Sequence, residues 1–88
     1  MKLNPKFKLS KVAGEYLLLD STQTSVDMNR VFSMNEPSAW LWRRIGSQEF
    51  DETRLVDWIC DEYDVTRELA ASDVHGLVSL WNEYGMLL

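Results

Sequence analysis

Reactive side chains are scarce in this sequence. Among 88 residues there is one cysteine, Cys60, and one histidine, His75. A single thiol cannot staple the chain to itself. Cys60 therefore reads as a small buried hydrophobe in a reducing compartment, with an intermolecular disulfide as the lesser alternative. His75 falls beside the apolar stripe of a helix, as a surface or boundary residue, and no motif links it to Cys60 as a nucleophilic dyad. Zinc-ligand spacing, a phosphate-binding loop and a dinucleotide fingerprint are all missing. Carboxylates are plentiful at Asp51, Glu52, Asp57, Asp61, Glu62 and Asp64. They lack the glycine turn and converging spacing of a calcium loop, and read as the solvated side of a helix and its ends. Catalysis needs a nucleophile, base or metal held close together. The expectation is a protein that is not an enzyme, with no cofactor and no metal.

Long apolar runs are missing too. Nothing approaches the roughly 20 residues of a membrane helix. Lys2, Lys6, Lys8 and Lys11 are not followed by the apolar core of a secretory signal. A cytoplasmic protein with no membrane partner is expected. Cations are lacking in the second half of the chain. Residues 1–48 hold seven Lys and Arg against four Asp and Glu, whereas residues 49–88 hold two against ten, within a formal net charge of −5. Such a surface repels phosphates and argues against nucleic acid.

What the chain does have is a core. Apolar residues make up 45% and there are four tryptophans, enough for one small folded domain over residues 1–88. Met1 to Pro5 are expected to be loose. Phe7, Leu9 and Val12 alternate with Lys6, Lys8 and Ser10 as a first strand. Ala13-Gly14 reads as a turn, and Tyr16 to Leu19 as a second strand covered on much of both faces. Ser21 to Ser25 is polar and is expected to be the mobile loop. Val26 to Arg30 is either an extension of a third strand or an irregular lead-in.

The third strand proper is Val31 to Met34. Phe32 and Met34 fall on one face, Val31 and Ser33 on the other. It runs directly into a helix over Glu36–Ile45. Asn35 is the cap, Pro37 fits the first turn, and Gly46 is the stop. Ser38, Leu41, Trp42 and Ile45 form its stripe. A second helix spans Glu52–Tyr63 behind Asp51, with Leu55, Val56, Ile59, Cys60 and Tyr63 on its apolar face. A third spans Arg67–Tyr84 behind Thr66, with Ser72-Asp73 as a later start. Its stripe is Ala70, Val74, Leu77, Val78 and Trp81, and Gly85 ends it. Three strands followed by three helices is an α+β arrangement. Trp40, Trp58 and Trp81 are read either as sealing the edges of the core or as lining a hydrophobic groove. Aromatics are enriched where one protein holds another.

The segment Val31-Phe32-Ser33-Met34-Asn35-Glu36-Pro37-Ser38-Ala39-Trp40-Leu41-Trp42 resembles the hallmark of the pyrroloquinoline quinone synthesis protein D (PqqD) family. That hallmark is an apolar residue, Asn-Glu, small residues and an apolar-Trp pair, here Met34, Asn35-Glu36, Ser38-Ala39 and Leu41-Trp42. Leu80-Trp81-Asn82-Glu83-Tyr84-Gly85-Met86-Leu87 resembles the family's closing helix, and Phe7 to Leu19 its opening hairpin. The resemblance implies a winged-helix-like domain. It also implies a peptide chaperone that holds the leader of a ribosomally made precursor peptide and presents it to a modifying enzyme, often a radical-SAM enzyme. The leader would add as a strand to the edge of the third strand, at Asn29, Arg30, Val31, Phe32 and Ser33. Val74, Leu77, Val78 and Trp81 would supply the groove wall, with the division between groove and core left open. Two other classes remain: a DNA-binding winged helix, with few cations to support it, and an assembly subunit that forms a homodimer through the same strand edge.

Overall fold

The computed structural model describes residues 1–21 and 31–88. Three strands come first: β1 (Phe7–Val12), β2 (Glu15–Asp20) and β3 (Val31–Met34). Three helices follow: α1 (Glu36–Ile45), α2 (Glu52–Glu62) and α3 (Arg67–Glu83). The sheet is antiparallel in the order β1-β2-β3. This is the α+β, winged-helix-like arrangement expected from the sequence. The expectations that fall on residues 22–30, including the polar loop and the lead-in to β3, lie outside the described residues.

Each element has a local cause. The hairpin β1-β2 pairs Val12 with Glu15 and so turns through Ala13 and Gly14 alone. Both take positive φ, 52° and 81°. That is the pattern of a type I′ turn, whose twist matches the strands. Alanine is a poor residue there, because its Cβ crowds the backbone in the left-handed region. Ala13→Asn is therefore expected to raise the urea midpoint, by an amount equivalent to about 0.5–1 kcal/mol. An unchanged or lower midpoint would mean that the turn is not of this type.

The helices start where side chains cap them. Asn35 accepts from the Ser38 N–H at 3.0 Å, Asp51 from the Arg54 N–H at 2.8 Å and Thr66 from the Leu69 N–H at 3.2 Å. The cap at Thr66 sets the earlier of the two candidate starts of α3. Its end is a Schellman motif: Met86 N–H donates to Trp81 C=O and Gly85 N–H to Asn82 C=O, with Gly85 at φ 74°.

One core lies between the inner face of the sheet and the helices. Leu18, Leu41, Ile45, Leu55, Val74 and Trp81 are its most completely buried large side chains. Trp42 and Trp81 meet edge to face at 5.3 Å. Three expectations are corrected here. Residues 1–5 are not loose: Leu3 is buried and bridges Leu87, Asn4 N–H donates to Met86 C=O, and the Met1 amino group donates to Phe50 C=O. Satisfying the backbone of the apolar tail at Met86 and Leu87 is what ties the N-terminus down. Trp81 does not seal an edge but sits in the centre of the core, at 1% exposure. Cys60 is half-buried rather than buried.

A candidate peptide-binding cleft between β3 and α3

The face that matters is set by the backbone of the hairpin. In a two-residue hairpin the flanking residues exchange both main-chain hydrogen bonds, and bonded and non-bonded pairs then alternate. Val12 and Glu15 are such a pair. The same parity reappears at the far end, where Ser21 N–H donates to Lys6 C=O. Odd-numbered residues of β2 thus bond to β1, and even-numbered ones to β3. Tyr16 pairs with Met34 and Leu18 with Phe32. The main-chain groups of Phe32 and Met34 are therefore taken up by β2. Those of Val31 and Ser33 point the other way, along the outer edge of the sheet. Among the described residues no strand pairs with that edge.

Beside the edge lies a cleft of about 360 Å³. Its walls are β3 and Asn35 on one side, and Leu77, Leu80 and Trp81 of α3 with the Tyr84 that follows the helix on the other. Phe32 and Met34 face inward, half-buried and packed against the core. The Tyr84 ring lies 4.9 Å from that of Phe32 and spans one end of the cleft. Leu80 and Tyr84 are exposed at 45% and 48%, which is high for apolar side chains so close together.

The cleft continues past the end of β3. A larger cavity of about 540 Å³ is bounded by Ile59, Tyr63, Val65, Asp73, Gly76 and Leu77, among others. Asn35, Ser38, Leu77 and Leu80 line both spaces, so the two adjoin.

These positions divide the four helical residues that the sequence offered. Val74 and Val78 are buried in the core at 2% and 7%, though Val74 also forms part of the back wall of the larger cavity. Trp81 belongs to the core and contributes only one flank of the cleft. Leu77 alone is half-buried and turned to both spaces. Of the strand residues, Val31, Phe32 and Ser33 line the cleft. Asn29 and Arg30 lie outside the described residues. Leu80 and Tyr84 were missed. The signal was available: Asp73, Gly76, Leu77, Leu80 and Tyr84 recur at helical spacing beside the core stripe.

Trp40 and Trp58 line neither space. Arg44 sits 5.6 Å from the ring centre of Trp40 and 4.8 Å from that of Trp58, and Trp40 meets Tyr63 edge on. This cluster closes the outer side of the core between α1 and α2. His75 is exposed and lies 3.0 Å from Glu52. Tyr16 is hydrogen-bonded by Arg43, which lowers its pKa from the ordinary phenol value, and Lys11 adds to this. Among the described residues no cluster of three His, Cys, Asp or Glu could hold a metal ion. Nor, among the described residues, is any helix long and apolar enough to cross a membrane.

Solved structures share this architecture. One, described as TbiB1 in complex with the TbiA(beta) leader peptide, is 22% identical. It superposes with a TM-score of 0.73 over 99% of this chain and 94% of that one. Another, a lasso peptide synthetase B1 complexed with the leader peptide, is 24% identical, with a TM-score of 0.72 over 99% of this chain and 95% of that one. No curated protein gives a significant sequence match. The family model for coenzyme PQQ synthesis protein D matches residues 11–87, from the end of β1 to the apolar tail, and the chain belongs to the PqqD family.

Proposed function

We propose that this chain is a recognition element without catalysis of its own. It binds the leader of a ribosomally synthesised precursor peptide as a fourth strand on β3 and presents it to a modifying enzyme, such as a radical-SAM enzyme. The observation that carries this is the outer edge of β3, unpaired among the described residues, beside an apolar cleft on α3. An unpaired edge offers main-chain donors and acceptors in a row, and an added strand satisfies them while pockets read its alternate side chains. The family membership and the leader peptides bound to both solved relatives support the same reading. Helix α3 carries only Arg67 and His75 as basic groups, which weighs against a DNA-reading helix. The homodimer through β3 would compete for the same edge.

The test is calorimetric titration with synthetic leaders of the short precursor-like peptides encoded near its gene. A dissociation constant near micromolar, about 8 kcal/mol, is expected. Leu80→Asp puts a charge in the cleft at an exposed position, so it is expected to weaken binding by tenfold or more while leaving the thermal midpoint within about 2 °C. Wild-type affinity in a folded Leu80→Asp variant would remove the cleft from the site. A tight dimer in light scattering that excludes the peptide would favour the assembly role instead.

A further inference from the structure

A peptide held on β3 takes up one edge of the sheet and leaves the other. Among the described residues β1 pairs only with β2. The hairpin parity directs the main chain of Ser10 and Val12 toward β2, so the N–H and C=O groups of Leu9 and Lys11 point outward. Beside them lies a groove of about 450 Å³, bounded by β1, the end of α1 and the N-terminal segment. Leu3, Leu9, Trp42 and Ser47 are on its walls together with Lys2 and Lys8.

Charge sets this groove apart from the cleft on β3, which has no Lys, Arg, Asp or Glu on its walls. Lys2 and Lys8 are the only ionisable side chains lining the groove. Lys8 is exposed on the outer face of the sheet, since Phe7 and Leu9 pack inward. Lys11 is on the inner face, 5.2 Å from the ring centre of Tyr16, with Arg43 of α1 4.8 Å from the same centre. Cations therefore flank the β1 edge on both faces. Among the described residues none of Lys2, Lys8, Lys11 and Arg43 is in an ion pair, whereas Lys6 is held by Asp20 at 3.6 Å. Residues 49–88 carry ten of the fourteen carboxylates and contribute only Leu88 to the groove.

We infer that the β1 edge is the docking surface for the modifying enzyme, which engages it with an extended, acidic segment. Only the identity of the partner rests on the recognition-element reading above. Outward main-chain groups are satisfied by an extended segment, and four uncompensated cations by carboxylates on it. A second copy of this chain fits poorly, because pairing through β1 would bring two sets of lysines together, which is how edge strands avoid joining one another. β2 separates the two edges by roughly 10 Å, so a guest on β3 and an enzyme on β1 can be held at once. A protein that presents one molecule to another needs two such surfaces.

Biolayer interferometry tests this, with the modifying enzyme encoded near its gene as the probe. Lys8→Glu combined with Lys11→Glu reverses the charge at two exposed positions. The double variant is expected to bind the enzyme about tenfold or more weakly than the wild type, whose own binding should weaken as salt is raised from about 0.1 M to about 1 M. Its affinity for the leader, measured by calorimetry, should stay within about twofold, and a thermal midpoint within about 2 °C of the wild type excludes misfolding. Lys11→Pro removes an outward N–H as well as the charge, so it should bind the enzyme about fivefold more weakly than Lys11→Gln. Equal affinities of those two would overturn the added strand. Enzyme binding that ignores the charge reversal, or is absent in the wild type, would overturn the docking surface and leave the leader site standing. A short DNA duplex retained by the wild type and released by the double variant, with enzyme binding untouched, would assign the cations to nucleic acid instead. Enzyme binding that depends on Lys8 and Lys11 in a chain that binds no leader would sink the β3 reading alone.

Discussion

Trp81→Ala is expected to remove a large part of the chain's folding stability. Trp81 is 1% exposed, meets Trp42 edge to face, and carries the carbonyl that Met86 N–H caps at the end of α3. Truncating a buried tryptophan costs about 3–5 kcal/mol. A domain of this length has only roughly 4–13 kcal/mol in total. With a urea slope of about 1–1.5 kcal/mol/M for a small domain, the midpoint should fall by about 2–5 M, or the folded baseline should vanish. Near-ultraviolet circular dichroism should collapse with it. Trp40→Ala and Trp58→Ala provide the contrast, since both rings are half-buried beside Arg44 and lie outside the centre of the core. Each is expected to shift the midpoint by less than half as much. Equal losses from all three would contradict the central position of Trp81.

That ranking bears on the site, because Trp81 also flanks the cleft. A loss of peptide binding in Trp81→Ala would follow from unfolding alone and says nothing about the groove. Leu80 is the better probe, being exposed and absent from the core. α3 presents two adjoining apolar stripes. Ala70, Val74, Val78 and Trp81 are buried, while Leu77, Leu80 and Tyr84 turn to the cleft.

Much of the fold was legible because local chemistry and tertiary packing agree. Asn35, Pro37 and Gly46 mark α1 at the bounds observed, Glu36–Ile45. Val31 to Met34 alternates as β3 does, and the three caps sit where short polar side chains precede apolar periods. The cleft was legible only in part. Periodicity says that a residue faces something apolar, and cannot distinguish a core from a groove when both stripes lie on one helix. Val74 and Val78 were therefore grouped with Leu77, and Leu80 and Tyr84 were passed over. The N-terminus was misjudged for another reason. Leu3 is held by a bridge to Leu87, a contact across nearly the whole chain that no local pattern announces.

Proline placed at alternate positions along β3 should separate recognition from folding. By the hairpin parity, the N–H groups of Val31 and Ser33 point to the outer edge, and that of Phe32 to β2. Proline is tolerated in an edge strand when the N–H it removes faces solvent, and not when the N–H is part of the ladder. Ser33→Pro should thus fold with a loss of about 1 kcal/mol or less, mostly from fixing φ near −65°. Phe32→Pro should lose a ladder bond and displace a ring packed against the core, with a cost of about 3 kcal/mol or more. The order reverses in what each says of the guest. A guest carbonyl left without its donor at position 33 is buried and unsatisfied, which costs about 1–3 kcal/mol, or roughly fivefold to 150-fold in affinity. Ser33→Ala removes only the hydroxyl and should bind as the wild type does. Calorimetry on the three folded proteins, wild type, Ser33→Ala and Ser33→Pro, gives the comparison. A folded Ser33→Pro with undiminished affinity would mean that the guest does not pair with this edge. In that event the apolar face of α3 would hold the peptide by side chains alone.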